Sequence, residues 1–118
     1  MTPEHHGRVC AIVRHLPHLL AFTICGTADD LADQTRSEVL EFAASGFRDF
    51  TRIAASDPIM WRDIFLSNRE AILEMLSRFL EDAQAMARAI RWGDEDYIVD
   101  RIERGRSIRR SLIENRQA

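Results

Sequence analysis

Between Ile72 and Ile90 the apolar residues Ile72, Leu76, Phe79, Ala83, Met86 and Ile90 recur at intervals of 4, 3, 4, 3 and 4. Only an α-helix brings residues at that spacing onto one side; a strand would scatter them over both faces. The stripe is a heptad seam of nearly three repeats, and a seam that long packs along another helix of the same chain or of a second copy. Six helices in a chain of 118 residues leave a thin core, which favours the second copy. Ser67-Asn-Arg-Glu70 reads as the capping box that starts this helix, and Gly93 supplies its stop.

The rest of the chain follows the same period. Thr2-Pro3-Glu4 opens a first helix with a cap, a first-turn proline and an acidic residue at the positive end. Val9, Ile12, Val13, Leu16, Leu20 and Ile24 carry it forward, Pro17 should kink it, and Gly26 should end it. Thr27-Ala-Asp-Asp30 resembles a capping box for a second helix bearing Leu31, Glu38, Val39, Phe42 and Ala43. A short helix over Phe47–Ala55 follows. Ser56-Asp57-Pro58 then caps a fourth helix with Met60, Trp61, Ile64 and Phe65. Asp94 caps a last helix with Ile98, Ile102, Ile108 and Leu112, whose polar side carries Arg101, Arg104, Arg106, Arg109 and Arg110. That arginine face reads as solvated and is offset by Asp94, Glu95, Asp96, Asp100 and Glu103. No segment alternates with period two for long enough to be a strand. The expected fold is all-α, about six helices, in a single domain over residues 1–118.

Composition narrows the chemistry. All 16 basic side chains are arginine and none is lysine. That excludes a Schiff base, a P-loop lysine and a lysine general base. It leaves planar forks suited to carboxylates and phosphates, although an all-arginine chain most often reflects codon usage. A net charge of −3 argues against non-specific nucleic-acid binding. Cys10 and Cys25 read as buried thiols of a cytosolic protein rather than a disulfide framework. Met1 is followed by Thr-Pro-Glu-His-His, which is no signal peptide. The apolar stretch from Leu16 to Cys25 is interrupted by Pro17, His18 and Thr23 and reads as too short and polar to span a bilayer.

Candidate sites are few. His15 and His18 share a helix face, but two ligands do not make a metal site and no third is in register. His18 follows the kinking Pro17, where a helix often borders a cavity. In the stretch Ser45–Trp61, Asp49 and Arg52 are three apart and can pair. Arg52 lies in a mostly apolar helix and needs an anionic partner. Two readings follow: Asp49 fills that need by itself, or it orients Arg52 toward a ligand carboxylate. Trp61 is either core or the wall of such a pocket.

Taken together these residues resemble a known family. Gly46-Phe-Arg-Asp-Phe-Thr-Arg-Ile-Ala-Ala-Ser-Asp-Pro-Ile-Met-Trp-Arg-Asp-Ile-Phe65 is similar to the signature of the C-terminal domain of prephenate and arogenate dehydrogenases. So is His15-Leu-Pro-His18, preceded by His5-His6 and followed by Gly-Thr-Ala-Asp-Asp30. The likeness covers essentially the whole chain and looks closest to proteobacterial cyclohexadienyl dehydrogenases. It implies oxidative decarboxylation of prephenate or arogenate in tyrosine biosynthesis, with NAD or NADP bound mainly by a Rossmann domain that this chain lacks. It implies a helical, intertwined homodimer domain in a cytoplasmic enzyme, with tyrosine as a possible inhibitor and neither nucleic acid nor membrane as partner. The family's catalytic histidine belongs to the other domain, so no catalytic residue and no metal is expected here, and this domain by itself should be inactive.

Carried over residue by residue, the resemblance makes Arg52 the clamp on a substrate carboxylate and Asp49 the acid orienting it. His18 and Trp61 line the pocket, with Thr51 and Gly46 in the same wall. Gly7 and Ser45 depart from the family, which usually shows aspartate and glycine there. Two other classes remain open at this stage: a helical interaction module without a ligand, and a chorismate-mutase-like enzyme. The absence of lysine counts against the latter.

Overall fold

The computed structural model describes residues 2–31, 37–38, 41 and 45–115. Among them every regular element is helical, as the period of the apolar residues requires. The chain divides into two compact units, Met1–Leu76 and Ser77–Ala118.

The first unit begins with α1 (Pro3–Cys10), capped by Thr2, whose hydroxyl accepts from the His5 N–H at 3.2 Å. A π-helical turn over Ala11–His15 joins it without a break to α2 (Leu16–Asp29). The expected kink at Pro17 is therefore taken up by a widened turn just upstream. There the Leu16 N–H reaches back five residues to the Ala11 carbonyl. Proline has no N–H to give, and it falls where the pattern returns from five-residue to four-residue bonds.

Gly26 does not end this helix, contrary to the sequence pattern. It lies inside α2, nothing lies within 4 Å of where its Cβ would be, and the flanking Thr23 and Thr27 hydroxyls donate to the Leu19 and Thr23 carbonyls. A glycine inside a helix costs only about 1 kcal/mol against alanine. Its presence alone does not break the helix. Thr27–Asp30 accordingly forms the last turn of α2, with Asp30 as its C-cap, and does not cap a new helix. The proposed second helix falls largely outside the described residues; Ser37, Glu38 and Glu41 are helical.

The unbroken span Pro3–Asp29 corrects another expectation. At 27 residues it is long and apolar enough, by length and composition, to cross a membrane. The sequence pattern confines the apolar stretch to Leu16–Cys25, interrupted by Pro17, His18 and Thr23. In the structure Ala11 and Leu16 pack with Ile72 and Met75, against Leu19, Leu20, Phe65, Ala71 and Leu76. That makes it the central helix of the first unit.

The short helix expected over 47–55 is α3 (Ser45–Thr51) followed by a 3₁₀ turn over Arg52–Ala54. Asp57 caps α4 (Pro58–Ser67), its carboxylate accepting from the Met60 N–H at 2.8 Å. α5 (Arg69–Trp92) follows after the single residue Asn68. The capping box expected at Ser67 does not form, because Ser67 still belongs to α4 and its hydroxyl donates to the Ile64 carbonyl.

The heptad seam of α5 is buried only in part. Ile72 is 3% exposed, but Phe79 is 39% and Ile90 65% exposed. In the second unit the buried position of α5 is instead Ala89. Gly93 ends α5 at φ +69°, with the Asp94 N–H closing back on the Ala89 carbonyl at 2.9 Å. Asp94 then caps α6 (Glu95–Glu114), accepting from the Tyr97 N–H at 3.2 Å. Arg106 pairs with Glu103 at 2.7 Å as expected, whereas Arg101 pairs with Asp82 of α5 at 3.8 Å, outside the expected acids. No residue of α6 is buried; Ile102, Ile108 and Ile113 stand exposed. Cys10 and Cys25 are free and half-buried, not buried as their apolar neighbours suggested.

Candidate functional site

Two helices of the first unit bring their aromatic residues together. On α2, His18 and Phe22 are one turn apart; on α4, Trp61 and Phe65 are one turn apart. The His18 ring lies flat on Trp61, with centroids 3.8 Å apart and planes 18° from parallel. Phe22 meets Trp61 edge-on at 6.3 Å and Phe65 at 6.2 Å, while Phe65 lies 5.6 Å from Trp61. His15 approaches Trp61 edge-on at 6.2 Å. Trp61 is only 8% exposed and is the hub of this cluster.

An open hollow lies on each side of the hub. One, of about 430 Å³, is lined by Val13, Arg14, His15, Pro17, His18, Ile53, Trp61 and Ile64. The other, of about 390 Å³ and more apolar, is lined by Phe22, Ala54, Ser56, Pro58, Trp61, Arg62 and Phe65. A larger hollow of about 500 Å³ between α1 and the start of α5 holds none of the residues expected from the sequence.

Hydrogen bonds set the imidazole rings. His18 Nδ1 lies 3.0 Å from the Arg14 carbonyl, which can only accept, so Nδ1 carries the proton. Its Nε2 then holds the lone pair when the ring is neutral. Burial, reinforced by Arg14 and then His18, pushes the His15 pKa below the ordinary 6.5.

The other expected site residues are placed as follows. Thr51 is half-buried and donates to the Phe47 carbonyl at 2.7 Å, so its hydroxyl proton is committed to its own helix. Gly46 is exposed, with open space beside it. Asp49 and Arg52 are both exposed, and no ion pair joins them among the described residues. Arg52 directly precedes Ile53, which lines the hollow beside His18 and Trp61. His18 and Trp61 are thus brought into contact, whereas Arg52 and Asp49 are exposed and line neither hollow.

Sequence reasoning left Phe22, Phe65, His15 and Asn68 outside the site. The first two had a signal, since each lies four residues from an expected site residue on the same helix. Asn68 had none, being indistinguishable from part of a capping box.

Residues 2–104 match the family described as prephenate dehydrogenase, dimerization domain. The chain belongs to that family. It is 36% identical to a cyclohexadienyl dehydrogenase of Zymomonas mobilis subsp. mobilis over 95% of its own length and 38% of the relative's. It is 38% identical to a prephenate dehydrogenase of Lactococcus lactis subsp. cremoris, again over 95% of itself but 31% of that protein. Among solved structures, prephenate dehydrogenase from Aquifex aeolicus, in complex with hydroxyphenyl propionate and NAD+, superimposes with a TM-score of 0.86 at 34% identity. The match covers 95% of this chain and 39% of that one. An arogenate dehydrogenase from Synechocystis has the same fold, with a TM-score of 0.88 at 19% identity over 95% of this chain and 41% of that one. The chain therefore spans between 31% and 41% of the length of these relatives.

Proposed function

We propose that this chain is the dimerisation and substrate-binding domain of an NAD(P)-dependent prephenate or arogenate dehydrogenase, a cytoplasmic homodimer in tyrosine biosynthesis. The observation that carries the substrate role is the His18–Trp61 stack bordering an open hollow, one of whose lining residues, Ile53, directly follows the exposed Arg52. A flat indole and imidazole wall suits a planar or near-planar six-membered ring. A guanidinium with no ion partner among the described residues suits a carboxylate taken two hydrogen bonds at a time. Asp49, three residues before Arg52, is the acid that orients the fork when a carboxylate is bound. Thr51 and Gly46 complete the wall. The substrate is thereby bound and turned by this domain.

The cofactor does not fit this chain. Among the described residues there is no strand, and the sequence has no Gly-x-Gly-x-x-Gly turn to cradle a pyrophosphate. Hydride transfer and the group that promotes it therefore belong to another domain of the whole enzyme, and this chain alone binds without turnover. The exposed distal seam of α5, with Phe79 and Ile90, supports a second copy as its cover.

The test is a titration of prephenate followed by Trp61 fluorescence in a Trp92→Phe background, with light scattering on the same sample. Quenching of Trp61 in a particle of twice the chain mass is the expected result. Turnover of prephenate by the isolated chain with added NAD would overturn the incomplete-site reading. A monomer at micromolar concentration would overturn the dimer.

A further inference from the structure

Asn68 occupies the single-residue turn between α4 and α5, and its half-buried side chain does not cap α5. Its Nδ2 lies 2.9 Å from the Gly7 carbonyl oxygen and 3.2 Å from His15 Nδ1. A carbonyl cannot donate, so the amide must turn its NH₂ end toward Gly7. The second N–H of the same group then points to His15. His15 Nδ1 must accept it, and the neutral ring must carry its proton on Nε2. An imidazolium would set an N–H against an N–H. Asn68 thus opposes the charged ring as well as the other tautomer.

The surroundings are shaped around this amide. A Cβ added to Gly7 would come within 3.1 Å of Asn68 Oδ1, so the absence of a side chain at Gly7 leaves the amide its room. His15 and His18 border the same hollow, yet their rings are set in opposite senses. His18 is pinned by donation from Nδ1 to the Arg14 carbonyl, and His15 by acceptance at Nδ1 from Asn68. Among the described residues His15 Nε2 has no hydrogen-bond partner.

We propose that Asn68 is a positioning residue for this hollow: it holds His15 as an uncharged Nε2–H donor available to an acceptor oxygen of the ligand. The inference rests on the reading of the hollow as a substrate wall only for its last clause. The tautomer itself follows from Asn68, Gly7 and His15.

Two-bond ¹H–¹⁵N correlation spectra of the ¹⁵N-labelled chain at about pH 8, above the ordinary histidine range, report the tautomer of each ring directly. His15 should show the Nε2–H pattern and His18 the Nδ1–H pattern. Asn68→Asp replaces the donor with an acceptor and should move the His15 proton to Nδ1; Asn68→Ala should leave the two tautomers averaging. A His15 ring in the Nδ1–H form, or averaging in the unmodified chain, would overturn the proposal even if neither variant folds. So would an Asn68→Asp chain that keeps the Nε2–H pattern.

Hydroxyphenyl propionate is then the probe of the ligand. It should shift the His15 Nε2 resonance and bind about tenfold more weakly to the Asn68→Asp chain, a difference of about 1.4 kcal/mol. Equal affinity in both chains would overturn the role of the donor. A correct tautomer with no response of any residue of the hollow would keep the Asn68 assignment and sink the substrate-wall reading instead.

Discussion

Replacing Gly26 with alanine should stabilise the protein, against what its sequence context suggests. Gly26 is exposed, inside α2, in a right-handed helical conformation, with nothing within 4 Å of the added methyl. The gain is the helix-propensity difference, about 1 kcal/mol, which arises largely from the freedom that glycine retains in the unfolded chain. For 118 residues the unfolding entropy is about 0.25 kcal/mol per degree, so the melting temperature should rise by about 4 °C. Gly93→Ala is the matched comparison. Space there is also open, but φ is +69°, where a Cβ meets its own backbone, and the cost should be about 1 kcal/mol. Both variants are measured by urea unfolding at one fixed protein concentration, since self-association makes stability depend on concentration. If Gly26→Ala lowers the midpoint as Gly93→Ala does, Gly26 is a helix stop and the continuous helix to Asp29 is wrong.

Other outcomes follow from the site. His15 has a folded-state pKa below its ordinary value of 6.5, so the unfolded chain binds the extra proton first. Stability should be flat above about pH 6.5 and fall on acidification below it, and His15→Gln should flatten that fall; a pH series of urea midpoints measures it. Trp61→Ala removes the hub of the aromatic cluster and should cost about 3 kcal/mol or more in the same assay, whereas His18→Ala, losing mainly a stack, should cost about 1 kcal/mol. In the whole enzyme, Arg52→Lys keeps the charge but loses the fork. It should weaken substrate binding by about 2 kcal/mol, roughly a 30-fold rise in KM, and an unchanged KM would remove Arg52 from the clamp.

Among the described residues the helices and several of their ends were legible in the sequence because period and capping are local properties. The caps at Thr2, Asp57 and Asp94 and the stop at Gly93 each involve residues within a turn of one another. His18 and Trp61 were singled out together through resemblance, but their contact was not legible, since it joins α2 to α4. Where the local signals misled, a competing interaction prevailed. Gly26 stayed helical because a single propensity penalty is small beside the packing of the helix that contains it. Ser67 bonded backward to Ile64, and Asn68 turned away from α5 toward Gly7 and His15.

What the sequence determined by itself, then, is an all-helical domain of this family. Tertiary structure alone decided which nitrogen of His15 carries a proton and which side of α5 is buried at each end. Both depend on groups far apart in the chain. A hydrogen bond from residue 68 to residue 15 has no periodic trace, and an apolar stripe records that it will be covered without recording by what.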